Sequence, residues 1–293
     1  MKVAHSVEEV ERRDRAVALG TFDGVHLGHR RVLETAVDAG LTATVLTFHP
    51  HPRRVLGYGV ELLTTLERRL ELLGEAGVEE TLVVEFTLDF QRIEAQDFAL
   101  EYLEQIGTRV VVAGADFRFG HRREGDLELL RRLGFDVRVV PTVAGVSSSA
   151  IRQLLHEGDV AGAARLLGRP AEVEGIVVEG DARGGTLGFP TANLAVEPDV
   201  LVPASGIYAG FAAGPNVEGN RAAVSIGVNP HYGGHELRVE AFLLGFAGDL
   251  YGRRLVVELW RRLREERAFA SEQELIDQIA RDVDETEQAE RPV

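Results

Sequence analysis

The chain has 293 residues, 45% of them hydrophobic, enough for one large folded domain or two ordinary ones. Its formal net charge of −15 argues against broad nucleic-acid binding, which depends on releasing phosphate counterions. The absence of cysteine excludes disulfides, thiolate metal sites and cysteine nucleophiles.

Met1 to Arg15 is charged and lacks the apolar core of a signal peptide. No apolar run reaches the length that spans a bilayer. These features predict a cytoplasmic protein that uses no membrane. From Ala16 to about Gly168, short Val-rich runs alternate with amphipathic stretches. Ala16–Thr21, Thr42–Phe48, Thr81–Phe86, Arg109–Ala113 and Val137–Val140 read as strands, near-continuously apolar as buried parallel strands are. His29–Ala39, Leu66–Ala76, Ala95–Ile106 and Asp126–Leu133 read as helices. Thr64 to Glu67 carries a capping-box pattern, and Gly40, Gly77 and Gly134 stand where helix C-caps are expected. This alternation predicts a doubly wound, Rossmann-like α/β domain with its ligand site at the carboxyl ends of the strands. Two short helices follow, Ser148–His156 and Val160–Leu167. A boundary near Gly168–Pro170 gives domains of residues 1–168 and 169–293.

Beyond Ala171 the pattern changes to β-rich runs split by Gly, Pro and Asn turns. Val173–Val178, Ile207–Ala213, Ala222–Ile226, Leu237–Leu244 and Leu255–Trp260 predict a small antiparallel barrel or sandwich. A terminal helix, Ser271–Asp284, opens on the capping box Ser271 to Glu274.

Arg and His cluster at His26–Arg31, His49–Arg54 and Arg118–Arg123. Small basic pockets on an acidic chain suit an anionic small molecule, such as a nucleotide. The string Leu19-Gly-Thr-Phe-Asp-Gly-Val-His26-Leu-Gly-His29 follows the first strand and opens the first helix. Gly20 and Gly24 let backbone approach a ligand closely. A helix N-terminus offers free N–H groups and a positive dipole end to phosphate. His26 and His29 flank Gly28, where both can face that phosphate and stabilise charge building on it. Ser147 and Ser148 can cap a helix and offer hydroxyls, and Arg152 provides a guanidinium fork for phosphoryl oxygens. Taken alone, these residues also read as a Gly-containing β–α turn, a plain N-cap and a solvated charge.

The whole string resembles the HxGH motif of the nucleotidylyltransferase superfamily. More narrowly it resembles the adenylyltransferase half of bacterial bifunctional riboflavin kinase/FAD synthetases. Phe48-His-Pro-His51-Pro, Gly114-Ala-Asp116-Phe-Arg-Phe-Gly120 and Val146-Ser-Ser-Ser-Ala-Ile-Arg152 resemble three further motifs of that family, in order. The resemblance implies that Phe22, Asp23, His51 and Asp116 join Gly20, Gly24, Ser147 and Ser148 in binding ATP and FMN. It makes His26, His29 and Arg152 the catalytic set. No protein nucleophile is required, because an FMN phosphate oxygen attacks the α-phosphorus of ATP directly.

Gly180-Asp-Ala-Arg-Gly-Gly-Thr-Leu-Gly188-Phe-Pro190-Thr191-Ala-Asn193 resembles the riboflavin kinase signature. Pro203 to Tyr208, Ser225 to Pro230, Arg238 to Phe242, Asp249 to Gly252 and Leu263 to Asp282 continue it. The resemblance implies that Gly180, Gly188, Pro190, Thr191 and Asn193 bind ATP and riboflavin, with Thr191 and Asn193 holding Mg²⁺. Glu240 sits mid-strand and by alternation faces either solvent or a site. The resemblance makes it the general base for the riboflavin 5′-hydroxyl. The pattern departs from the family at His49, Gly185, His231, Tyr232 and Gly245.

The expected activity is therefore phosphorylation of riboflavin to FMN, then adenylylation to FAD. ATP is the co-substrate, and FMN and FAD are product ligands. Partners are small molecules rather than nucleic acid or membrane, and the chain is a monomer or weak homo-oligomer. The alternatives are an FMN adenylyltransferase with an inactive kinase domain, a flavin or nucleotide sensor without turnover, and an HxGH transferase with another acceptor.

Overall fold

The computed structural model describes residues 1–180, 188–215, 217–229 and 236–293. Asp181 to Leu187 and Pro230, His231 and Tyr232 lie outside the described residues, and with them the departures at Gly185, His231 and Tyr232. The chain divides into two compact units, Met1–Ser148 and Ser149–Val293.

Six strands build the first unit: β1 (Lys2–Ala4), β2 (Arg15–Leu19), β3 (Thr42–His49), β4 (Glu80–Glu85), β5 (Thr108–Gly114) and β6 (Asp136–Val140). They form one sheet in the order β1-β4-β3-β2-β5-β6, with every neighbouring pair parallel. Between them run α1 (Leu27–Val37), α2 (Pro52–Val55), α3 (Leu66–Glu75), α4 (Ala95–Phe98, continued by π-helical Ala99–Glu104) and α5 (Leu127–Arg132). Successive strand residues serve opposite faces. Ala16, Ala18, Val45, Val110 and Val112 pack with Leu33, Leu72 and Leu73 of α1 and α3. Val17, Leu19, Leu46, Val111 and Ala113 pack with Phe98, Leu103 and Leu130 on the other side. The sheet is thus buried on both faces, which is why its strands read as unbroken apolar runs. Strands β2, β3 and β4 build outward in one direction and β5 and β6 in the other. The switch point of the winding falls between β2 and β5, where loops diverge and leave a crevice.

A buried ionic tie locks the amino ends of these strands. Arg15 is fully buried, donates to the Ile106 carbonyl (2.9 Å) and Thr44 Oγ1 (3.0 Å), and pairs with Glu80, which Lys2 also approaches at 3.2 Å. Strand β1 was not expected, because three residues are too few to show a period. Thr65, not Thr64, caps α3, accepting from Arg68 N–H, while Thr64 Oγ1 accepts from Gly24 N–H at 3.3 Å. Two adjacent threonines offer the same chemistry, and the tertiary bond to Gly24 decides between them.

The second unit begins with α6 (Ser148–Glu157, its first residue in the preceding unit) and α7 (Val160–Leu167). The Ala204 N–H bonds the Leu155 carbonyl at 3.0 Å, and Val160, Ala163, Ala164 and Leu167 are buried. Strands β7 (Ala171–Val178), β8 (Ala192–Ala195), β9 (Gly206–Gly214), β10 (Val217–Asn229), β11 (Glu236–Leu243) and β12 (Arg254–Arg264) close into an antiparallel barrel in the order β10-β11-β8-β7-β12-β9. Alternating residues such as Val173, Leu194, Tyr208, Val224, Val239 and Val257 are buried. Helix α8 (Glu272–Gln288) is capped by Ser271, whose Oγ accepts from Glu274 N–H at 3.2 Å, while Glu274 reaches back to Ala270 N–H. Arg221 donates to the Thr286 and Ala289 carbonyls and lies over the Trp260 ring, holding the end of α8 against the outside of the barrel.

Candidate active sites

In the first unit, three of the quoted motifs follow the carboxyl ends of β2, β3 and β5, and the fourth begins at Val146 after β6 and runs on into the second unit. The loop from Gly20 to His26 leaves β2 at the switch point. Its backbone is strained, with φ of 52° at Phe22, 81° at Gly24 and 39° at Val25. A Cβ on Gly24 would stand 2.7 Å from Leu63 Cδ1, so this position needs glycine on both counts. Asp23 is buried, and its Oδ1 accepts from the Leu63 (2.9 Å) and Thr64 (3.3 Å) N–H groups. It holds the loop before α3 against the site. Gly20 stays close-packed against the Phe22 ring.

His26 caps α1: its Nδ1 accepts from the His29 N–H at 3.2 Å. Accepting there places the ring proton on Nε2. The His26 and His29 rings stack, with centroids 3.6 Å apart and planes 13° apart, and Phe22 meets His29 edge-on at 5.3 Å. His29 is partly exposed, but its Nδ1 is buried without a partner among the described residues. Protonating that ring would bury a charge and an orphaned N–H together. Burial, then the neighbouring His26 and Arg69, hold its pKa well below the ordinary 6.5. The site thus presents a neutral His29 stacked on His26, whose Nδ1 is occupied as an acceptor, at a helix N-terminus.

Ser148, the first residue of α6, donates from Oγ to the Asp23 carbonyl at 3.2 Å, which brings the late motif to the early loop. Ser147 beside it is exposed, and Arg152 lies one turn further along α6, half-buried. Asp116 is exposed in the turn after β5, its Oδ1 folded back over Gly114. His51 is buried and caps α2, its Nδ1 accepting from Arg53 N–H at 3.2 Å. The sequence reading did not single out Arg69, buried on α3, nor the aromatic cluster of Phe48, Phe86, Phe90, Phe98 and Tyr102 beside the ends of β3 and β4. Each looks like core or helix surface in one dimension; only the fold collects them.

In the second unit, Glu240 stands on β11 with Val239 and Ala241 buried on either side, so its carboxylate faces out of the barrel. It is paired in register with Asn193 on β8 and Ser225 on β10. Thr191 Oγ1 donates to Glu240 Oε2 at 3.2 Å. A Cβ on Gly180 would overlap the Asn193 amide, so backbone passes directly over it. Phe189 packs edge-on against Phe242 at 5.4 Å, two residues along from Glu240. Gly188 has φ of 88°, and it and Pro190 lead exposed into Thr191. The chemistry here is a hydroxyl, an amide and a carboxylate gathered on one face. Glu266 was also missed: a Cβ on Gly227 would overlap its carboxylate, and burial, with Glu240 nearby and Arg264 opposing, raises its pKa.

Residues 8–152 match the family model for FAD synthetase, and residues 167–289 match that for riboflavin kinase. Bifunctional riboflavin kinase/FMN adenylyltransferases of Bacillus subtilis and Escherichia coli are each 36% identical, over 95% of this chain and 93% of theirs. The chain belongs to the bifunctional riboflavin kinase/FMN adenylyltransferase family. A solved structure described as a macrolide-efflux protein from Streptococcus pneumoniae has a TM-score of 0.89 and 31% identity, covering 98% of this chain and 99% of that one. No helix among the described residues is long and apolar enough to cross a membrane. Membership of the bifunctional family bears out the resemblance read from the two motif strings, one in each unit.

The Thr191, Asn193 and Glu240 group supplies hard oxygen donors, which fit Mg²⁺ carried in with nucleotide phosphates. Among the described residues no group of three or more His, Cys, Asp or Glu is arranged to hold a metal by itself.

Proposed function

We propose that this chain phosphorylates riboflavin with ATP and then transfers AMP from a second ATP to the FMN, giving FAD and pyrophosphate. The observation that carries this reading is the pair of motif-bearing sites, one on each unit, in a chain whose bifunctional relatives match it nearly end to end. Functional domains of residues 1–168 and 169–293 are supported by family matches ending at 152 and resuming at 167.

In adenylyl transfer, an FMN phosphate oxygen attacks the α-phosphorus of ATP and the bond to the bridging oxygen of pyrophosphate breaks. His26, with Nδ1 occupied as an acceptor and Nε2 left to donate, and the neutral His29 hold the phosphates over the first turn of α1. Ser147, Ser148 and Arg152 add hydroxyl and guanidinium donors. Asp23 acts through the loop it holds, and His51 positions the Arg53–Arg54 turn beside it. Gly20, Phe22, Gly24 and Asp116 shape the nucleotide and flavin pocket.

In phosphoryl transfer, Glu240 takes the proton from the riboflavin 5′-hydroxyl as that oxygen attacks the γ-phosphorus and ADP leaves. Thr191 orients the carboxylate. Thr191 and Asn193 would hold Mg²⁺, which would screen the phosphate charge. Gly180, Gly188 and Pro190 bring backbone close to the nucleotide. The acidic composition supports small-molecule substrates over nucleic acid, and the chain works in the cytoplasm as a monomer or weak homo-oligomer.

Incubating the purified protein with riboflavin, ATP and Mg²⁺ and separating the flavins by chromatography tests the proposal. FMN followed by FAD is expected. FAD made only from supplied FMN reduces the chain to an adenylyltransferase. Binding without any product makes it a sensor.

A further inference from the structure

Arg69 stands on α3 among residues that look like an ordinary amphipathic helix, yet its side chain is almost completely buried. Its Nη1 donates to the Thr21 carbonyl at 2.8 Å and its Nη2 to the Phe48 carbonyl at 3.4 Å. Those carbonyls lie just past the end of β2 and near the end of β3. One guanidinium therefore ties together the two strand ends from which the His26 loop and the His51 loop depart. Its Nε is buried without a partner among the described residues. Burial lowers its pKa from the ordinary arginine value, with the Asp23 charge opposing; Asp23 Oδ1 itself accepts from Leu63 and Thr64. A buried cation with an unfilled donor is costly, and such a group is retained where its charge or its geometry is used.

We propose that Arg69 is a positioning residue for adenylyl transfer, fixing the loop that carries His26 and His29 and keeping a permanent positive charge beneath the phosphate site. This rests on the adenylyltransferase reading of the first unit. Two consequences follow. The planar fork spans both carbonyls at once, which a lysine cannot do. The fixed charge also disfavours a second positive charge on His29, so His29 stays a neutral donor as pH falls. The charged and titratable groups facing His29 are His26 at the cap of α1 and Arg69 from α3, with Asp23 facing Arg69 from the loop.

Arg69→Met and Arg69→Lys separate the two effects, with both reactions measured on each protein. Wild type must form FAD from FMN and ATP; if it does not, the adenylyltransferase reading fails, independently of Arg69. In Arg69→Met, kcat for FAD formation should fall on the order of 100-fold, the penalty of a misplaced catalytic loop. Its acid limb should move to higher pH, while riboflavin phosphorylation is unchanged. Arg69→Lys should lose about tenfold in kcat, an intermediate penalty, and keep the wild-type acid limb. If Arg69→Met fails to fold, as loss of native helical circular dichroism would show, Arg69→Lys and Arg69→Gln are read instead, with the acid limb moving only in Arg69→Gln. Full kcat in Arg69→Lys, or an acid limb that stays in place in the neutral variants, overturns the proposal.

Discussion

Gly28→Ala separates stability from catalysis in the first unit. Gly28 is the second residue of α1, and a Cβ there would stand 3.1 Å from His26 Cε1 and 3.2 Å from His26 Nδ1. Contacts this close force the imidazole to move by a few tenths of an ångström. The same Nδ1 accepts the 3.2 Å capping bond from His29 N–H, so the cap weakens as the ring moves. Losing a cap costs about 1 kcal/mol, whereas alanine in place of glycine inside a helix gains about 0.5–1 kcal/mol. These nearly cancel, so the urea midpoint should hardly change. Catalysis has no such compensation. If a 1 Å misplacement costs about 100-fold, a shift of a few tenths costs roughly four- to tenfold in kcat for FAD formation. Riboflavin phosphorylation, on the other unit, is the internal control. Wild-type FAD formation in Gly28→Ala, or equal loss of both activities, would refute the reasoning.

Three further outcomes are expected. Glu240→Gln removes the base while keeping its size, and should abolish FMN formation while sparing FAD formation from supplied FMN; surviving kinase activity would sink the assignment. The folded pKa of His29 is depressed, so below about pH 6.5 the unfolded chain gains a proton that the folded chain refuses. Stability should fall with acidity in that window by up to about 1.4 kcal/mol per pH unit, and His29→Gln should flatten the slope; urea titrations across the window check this, and an unchanged slope contradicts it. Glu80→Ala leaves the buried Arg15 charge uncompensated and should cost about 3–5 kcal/mol by circular dichroism. Trp260, the only tryptophan, should report an unaltered barrel, and a loss under about 1 kcal/mol would show the pair to be dispensable.

The fold was legible because its signals are local. Val-rich runs marked strands buried on both faces, and Gly77 and Gly134 have the positive φ that helix ends use. Bounds shifted where burial gave no edge: α1 starts at Leu27 rather than His29, since His26 caps it, and β10 runs from Val217 rather than Ala222. Strand β8 was hidden inside Pro-Thr-Ala-Asn, which alone reads as a turn, yet Ala192 and Leu194 alternate into the barrel. Site residues were legible as strings, but their roles depend on three-dimensional partners. Asp23 looked like a ligand-facing carboxylate and is engaged by the Leu63 and Thr64 backbone. Arg69 gave no signal, because a helical Arg beside Arg68 reads as solvated surface. Only the convergence of β2, β3 and α3 buries it.

The central claim is that two different phosphoryl chemistries occur on one chain, and the fate of ATP's own phosphates tests it most directly. ATP labelled at the γ-phosphate should pass its label into FMN and, through FMN, into FAD. ATP labelled at the α-phosphate should label FAD and leave FMN unlabelled. With riboflavin and FMN each supplied in turn, no γ-label from riboflavin but α-label in FAD from FMN would contradict the kinase half, γ-label in FMN with no α-label from either flavin would contradict the adenylyltransferase half, and no label from either flavin would contradict both.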